Sequence, residues 1–169
     1  MKIGRFAHTL VTVLLLAGCV TGRQPEKIDL VTPLPANFSV QLPPAEMPQR
    51  IVQFIGIWKG DWLLSQPGSA PSGILHHTLV VKKAEASSSG GYRVSVIYSV
   101  GVPPATWENG GPGFWEFSGT IGTDGMLRLT APGPDGGQVA YTVSDDGQSL
   151  NGRYVLPGKS ISGIFLRIR

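Results

Sequence analysis

Eight short stretches of alternating polarity, each closed by a turn marked with glycine or proline, fill the last two thirds of this 169-residue chain. That pattern leaves few architectures open. The founding stretch is Phe54-Ile55-Gly56-Ile57-Trp58-Lys59-Gly60-Asp61-Trp62. Read at period two, Gly56, Trp58, Gly60 and Trp62 share one face, and Ile55, Ile57, Lys59, Asp61 and Leu63 share the other. Glycine between two tryptophans on one face leaves room for a crossing backbone or for ring packing. Residues 73–83 then alternate, with Leu75, His77, Leu79 and Val81 opposite His76, Thr78, Val80 and Lys82. After the flexible turn 87–91, Tyr92, Val94, Val96, Tyr98 and Val100 form the cleanest alternation and are expected to point inward. Trp115, Phe117 and Ile121 share a face in the next segment. Thr123-Asp124-Gly125 turns into 126–130, and 137–143, 149–156 and 160–169 follow, with Asp145-Asp146-Gly147 and Pro157-Gly158 between them. Gly163 interrupts the last segment, where a bulge is expected. The fold class read from this is all-β. An eight-stranded antiparallel up-and-down barrel is the economical closure because it removes both sheet edges; a split sandwich is the alternative.

The first fifty residues differ in kind. Lys2 and Arg5 precede a mostly apolar run over 6–16, too short for the ~20 residues of a spanning helix. Leu16-Ala17-Gly18-Cys19 follows and resembles the lipobox of bacterial lipoproteins. That resemblance implies a signal peptide over 1–18, cleavage before Cys19, a diacylglyceryl thioether on its sulfur and an acyl chain such as palmitate on its amino group. Cys19 is the single cysteine, so an internal disulfide is excluded, and lipidation would explain a lone thiol in an exported chain. By the same resemblance, Val20 in place of aspartate implies the outer membrane, facing the periplasm. Residues 19–50 carry Pro25, Pro33, Pro35, Pro43, Pro44 and Pro48 and are expected to be a lipid-anchored tether of extended chain. An ordered arm across the barrel is the alternative, since Leu30, Val31, Leu34, Phe38 and Val40 are apolar. The barrel domain is expected over 51–169. A short helical turn is expected just before the first strand, with Pro48 at its start and Ile51 and Phe54 on one side.

Gly56-Ile57-Trp58 on a first strand, preceded by such a turn, is similar to the start of a lipocalin. In that family the tryptophan packs at the closed end of the barrel beneath a basic residue from the last strand. Gly56 and Trp58 would then be structural, with Arg167 or Arg169 as the base over the indole. The chain lacks the Thr-Asp-Tyr segment usual in lipocalins. The wider pattern over 54–169 resembles calycin-like modules of secreted bacterial proteins, some of which sit beside serine hydrolase domains.

Charge and motifs exclude several functions. Removing Lys2 and Arg5 from 14 basic residues leaves 12 against 11 acidic ones, so no basic surface suggests nucleic acid. No Gly-x-Ser-x-Gly elbow, His-Glu-x-x-His helix or phosphate-binding glycine loop is present, and no cofactor or metal is implied. His76 and His77, as strand neighbours, point to opposite faces and cannot join one metal site. Asp61, Glu108 and Glu116 are read as acids on the outer face, and a hydrolase built on His77 with Asp61 ranks last. The chain is read as a non-enzyme.

Residues 101–113 form a long connection carrying Trp107 among glycines and prolines, and are read either as a lid over the barrel mouth or as a self-packed loop. Two functions remain. In one, the lipid-anchored barrel holds a small apolar or amphipathic ligand among Trp62, His77, Tyr98, Trp107, Trp115 and Tyr141. In the other, its own side chains fill the barrel, and the protein is an envelope accessory touching protein partners or cell-wall glycan. Interior volume discriminates them, because eight strands enclose a space that side chains can fill or that one small ligand can occupy.

Overall fold

A computed structural model describes residues 32–65, 71–102, 111–130, 137–156 and 159–168. One helical turn, α1 (Gln49–Val52), precedes eight strands: β1 (Gly56–Ser65), β2 (Pro71–Ala86), β3 (Tyr92–Val100), β4 (Gly113–Ile121), β5 (Leu127–Thr130), β6 (Gln138–Val143), β7 (Ser149–Leu156) and β8 (Lys159–Arg167). Each strand pairs antiparallel with its neighbour in sequence, and β8 returns to β1, so the sheet closes as an up-and-down barrel. The all-β expectation and its closure therefore hold, and the closed eight-stranded antiparallel barrel is compatible with the calycin-like architecture expected from the sequence. The alternation is the cause. Inward positions such as Leu79, Val94, Val96, Val139 and Leu150 are fully buried, whereas Arg93, Arg128 and Asn151 on the other phase face solvent.

One end of the barrel is tightly shut. Turns at 87–91, 122–126 and 144–148 place Gly91, Gly125 and Gly147 in the left-handed region, where a side chain is strained. Beneath them Trp58 is fully buried and donates its indole N–H to the Phe54 carbonyl, 2.9 Å away. The Arg167 guanidinium lies 4.2 Å over the Trp58 ring. It also donates to the carbonyls of Gly147 (2.9 Å), Ile55 (3.0 Å) and Gln53. One side chain thus ties β8, the 144–148 turn and the end of α1 to the indole. Pro48 caps the helical turn, and Ile51 and Phe54 are both buried beside it. Arg169 lies outside the described residues.

Three glycines shape the interior. A Cβ on Gly60 would sit 2.1 Å from the Ile164 carbonyl and 2.7 Å from the Phe165 ring. One on Gly152 would sit 2.7 Å from the rings of both Phe165 and Trp62. Gly163 stays in register with Trp62 on one side and Gly152 on the other, so the expected bulge there is absent. Its glycine serves close approach instead, since a Cβ would meet the Asp61 carbonyl at 2.5 Å. The register shifts in β1 and β2 fall at Leu64/Ser65 and at Val81/Lys83.

From Thr32 on, the proline-rich segment lies against the barrel, which is the arm rather than the tether. The Thr32 and Thr78 hydroxyls are 2.6 Å apart, and the Ser99 hydroxyl donates to the Pro33 carbonyl. Further along, the Gln41 amide donates to the Lys82 carbonyl at 2.8 Å, at the bulge of β2. The physical reason lies beneath the arm. Val80 and Ile97 are apolar in the outward phase, and with Thr78 and Ser99 they are fully buried. Leaving that face wet would forfeit ~25 cal/mol per Å² of apolar surface.

Strand pairing is uneven around the ring. β1 and β2 share ten register pairs, but β4 and β5 share only Thr120↔Arg128 and Ile121↔Leu127. Leu129 and the Arg128 carbonyl occupy the space a Cβ on Gly119 would need, and beyond that point the two strands part. The upper half of β4 is therefore unpaired on that side among the described residues.

Candidate functional site

Inside the barrel, four of the residues singled out in the sequence come together. Trp62 from β1, His77 from β2, Tyr98 from β3 and Tyr141 from β6 all point inward and are buried. The His77 ring centre is 4.2 Å from that of Tyr98 and 5.9 Å from that of Trp62. Tyr141 stands 6.0 Å from Trp62. Phe165 meets Trp62 at 4.9 Å in an edge-to-face contact, and Tyr154 lies 6.3 Å from Trp62. Such pairs add roughly 0.5–1.5 kcal/mol each beyond burial. Phe165, Tyr154 and Phe117 were missed as interior rings; the inward phase of β7, β8 and β4 was the signal for them.

The plug is electrically neutral. His77 Nδ1 is 2.6 Å from the Ser99 carbonyl, which only accepts, so this nitrogen carries the proton. Nε2 then accepts from the Tyr141 hydroxyl at 3.2 Å. Burial lowers the His77 pKa from 6.5 to about 3, against a smaller upward pull from the Ser99 carbonyl. Burial also raises the Tyr98 hydroxyl well above its ordinary value, with Tyr154 adding to the rise. Tyr141 moves the same way, first by burial and then through Tyr98. Among the described residues, Trp62 Nε1–H is buried without a hydrogen-bond partner. The Tyr98 hydroxyl senses that N–H, but the two do not meet in a formed hydrogen bond.

Trp115 completes the site from above. It faces Tyr98 directly across β3 and β4, in the inward phase shared with Phe117 and Ile121. Yet it is 40% exposed, because it stands at the barrel mouth with its ring leaning over Gly113. Trp115, which the sequence places on one face with Phe117 and Ile121, thus stands at the rim. Phe117, half-buried one step below, lies 6.1 Å from Tyr98. Tyr98, Phe117 and Trp115 therefore form an aromatic wall rising from the plug to the mouth, beside the β4–β5 gap. Trp107 and Glu108, with most of the long connection, lie outside the described residues, as does Cys19.

The pairing of His77 with Asp61 does not occur. Asp61 faces outward and meets His76, its register partner on β2, at 2.6 Å, with both side chains about half exposed. That pair was legible only from strand register. Glu116 is bound to Lys82 on the outer face. Among the described residues no three His, Cys, Asp or Glu side chains converge to hold a metal. Three clefts bounded by described residues open outside the barrel. They lie between the arm and the closed end (about 530 Å³), over β7, β8 and β1 (about 560 Å³), and beside the β4–β5 gap (about 440 Å³).

No protein-family model matches this chain, and no curated protein matches it either.

Proposed function

We propose that this is a lipid-anchored envelope protein whose barrel mouth binds a small apolar or amphipathic ligand, without catalysis. The observation that carries the reading is the placement of Trp115. A large aromatic in the interior phase, part-exposed above a packed aromatic floor, marks a cup that is shallow rather than deep. Tyr98 and Phe117 supply its wall, and the buried Trp62 N–H, which has no acceptor among the described residues, supplies a donor. A ligand oxygen reaching that N–H would relieve a buried polar group. The absence of catalysis is supported by His77, whose two nitrogens are already engaged and which stays neutral at physiological pH. The anchor rests on Leu16-Ala17-Gly18-Cys19, and the outer-membrane, periplasm-facing location on Val20.

Titration with a fatty acid and with an aromatic probe tests the cup. Trp115→Ala is expected to weaken binding by about 2 kcal/mol, the usual contribution of an aromatic anchor. Equal binding by wild type and variant sinks the cup. For the anchor, Cys19→Ala is expected to abolish lipid labelling and leave an unprocessed precursor. A variant that still partitions into detergent with wild-type mobility rules it out. The filled-barrel accessory reading has one observation in its favour: the plug of Trp62, His77, Tyr141 and Phe165 closes the middle of the barrel. It becomes the better reading if no apolar probe binds.

A further inference from the structure

Among the described residues, six of the nine exposed large apolar side chains lie near strand ends at the mouth. Leu63 stands two residues before the end of β1, and Ile74 three after the start of β2. Val102 lies two residues past β3, Phe114 and Trp115 are the second and third residues of β4, and Val155 is next to last in β7. All six are 40–69% exposed, and all six ring the mouth. Ile164 and Leu166 lie lower on β8, and Leu42 lies on the arm near the closed end. The closed end presents polar turns instead, Thr123-Asp124-Gly125 and Asp145-Asp146-Gly147. A collar spread over β1, β2, β4 and β7 surrounds an opening, which suits a flat partner better than a strand or helix lying along one groove.

The arm says which way that opening faces. It enters beside Thr78 and Ser99, and Ser99 also reaches the carbonyl of Gly113, the first residue of β4 at the mouth. It then runs down past Lys82 to α1 at the closed end. The described chain therefore begins, at Thr32 and Pro33, beside Ser99, the next-to-last residue of β3 at the mouth end. Cys19 is thirteen residues earlier, a span of at most ~45 Å when fully extended and about 20 Å as a flexible chain.

We infer that the apolar collar of Leu63, Ile74, Val102, Phe114, Trp115 and Val155 seats on the surface of a lipid bilayer, with the barrel mouth facing the membrane. This rests on the lipid anchor at Cys19 proposed above. The anchor holds the collar at high local concentration beside the bilayer, so shallow insertion of a few apolar side chains suffices. Tryptophan and phenylalanine are suited to that depth, where amphipathic rings settle between headgroups and chains. Seated this way, the cup above Tyr98 opens onto lipid rather than water, and its ligand is a bilayer component.

The test uses the full lipidated chain in vesicles of phosphatidylethanolamine and phosphatidylglycerol. A spin label is placed at Phe114→Cys and, separately, at Val102→Cys on the collar, with Asp145→Cys at the closed end as reference. Lipidation occupies Cys19, so each variant carries one reactive thiol. Collisions with oxygen, which concentrates in lipid, are compared with collisions with a water-soluble nickel chelate. The oxygen-to-nickel ratio is expected to rise several-fold at 114 and 102 relative to 145. In protein that floats with the vesicles, equal ratios at all three sites overturn the docking while leaving the anchor standing. Protein that fails to float overturns the anchor and the docking together. Labels shielded from nickel without a gain in oxygen contact point to a second copy over the collar, and also overturn the proposal.

Discussion

The two ends of this barrel are built from different materials. At the closed end the turns are short and tied by their own side chains. Asp124 grips Arg128, which holds its carboxyl down to about 2, and Asp146 accepts from the Ser144 hydroxyl and the Gln148 amide. Trp58, Arg167 and α1 fill the space between them. At the mouth the β3–β4 connection is long, the rim is apolar, and β4 leaves β5 after two register pairs. On the function proposed above, the contrast assigns stability and recognition to opposite ends of one sheet. The closed end fixes the strands in place. The mouth end is then free to carry aromatic side chains that the fold does not need.

Substitutions at the two ends should accordingly have opposite signatures. The largest effect is expected at Trp58→Ala, which empties the closed end and costs about 3–5 kcal/mol, enough to unfold a domain of ordinary stability. An unchanged melting temperature would dissolve the contrast at once. Acid comes next. Unfolded His77 takes up a proton below pH 6.5, but the folded ring does so only below about 3. Between those values the unfolded state binds more protons, so stability is fully present above 6.5 and falls as the pH drops towards 3. The loss is roughly 4 kcal/mol across the window. Urea unfolding at stepped pH measures it, and His77→Gln should flatten that slope. A smaller loss, about 2 kcal/mol, is expected for Arg167→Lys. An ammonium keeps the charge but cannot reach three carbonyls and cover the indole together. The smallest belongs to the mouth: Trp115→Ala should leave stability within about 0.5 kcal/mol, because a rim residue has few core neighbours. A large stability loss there would make the mouth a second closed end.

Much of this was legible in the sequence, for a physical reason. Strand periodicity is local, so Tyr92 to Val100 alternate as expected, and the turn residues mark the strand ends. The Trp58–Arg167 pair was legible through its resemblance to lipocalins. Position along the barrel axis was harder to read. The phase of Trp115 is inward, but its exposure depends on how far β4 rises above its neighbours, which no local pattern states. The arm was read only as the alternative to a tether, for a different reason. Its prolines read as extended chain whether or not anything lies beneath, and the sign of packing lay elsewhere, in the outward apolar Val80 and Ile97. Gly163 was misread because one residue can permit either a bulge or a close approach, and only the partner strands decide which.

The glycines around the aromatic plug carry a consequence for how this sequence can change. Gly152 lies where a single methyl group would strike Trp62 and Phe165 at once, each 2.7 Å away. Neither ring can retreat, since Gly60 and Gly163 already bring the backbone close on the other side. Any side chain at 152 therefore has to be accommodated by residues 62 and 165 together. Gly152→Ala is expected to be harmful, and a smaller side chain at 62 removes only one of its two clashes, the contact with Phe165 remaining. Enlarging residue 152 thus requires that room be made among the interior rings first.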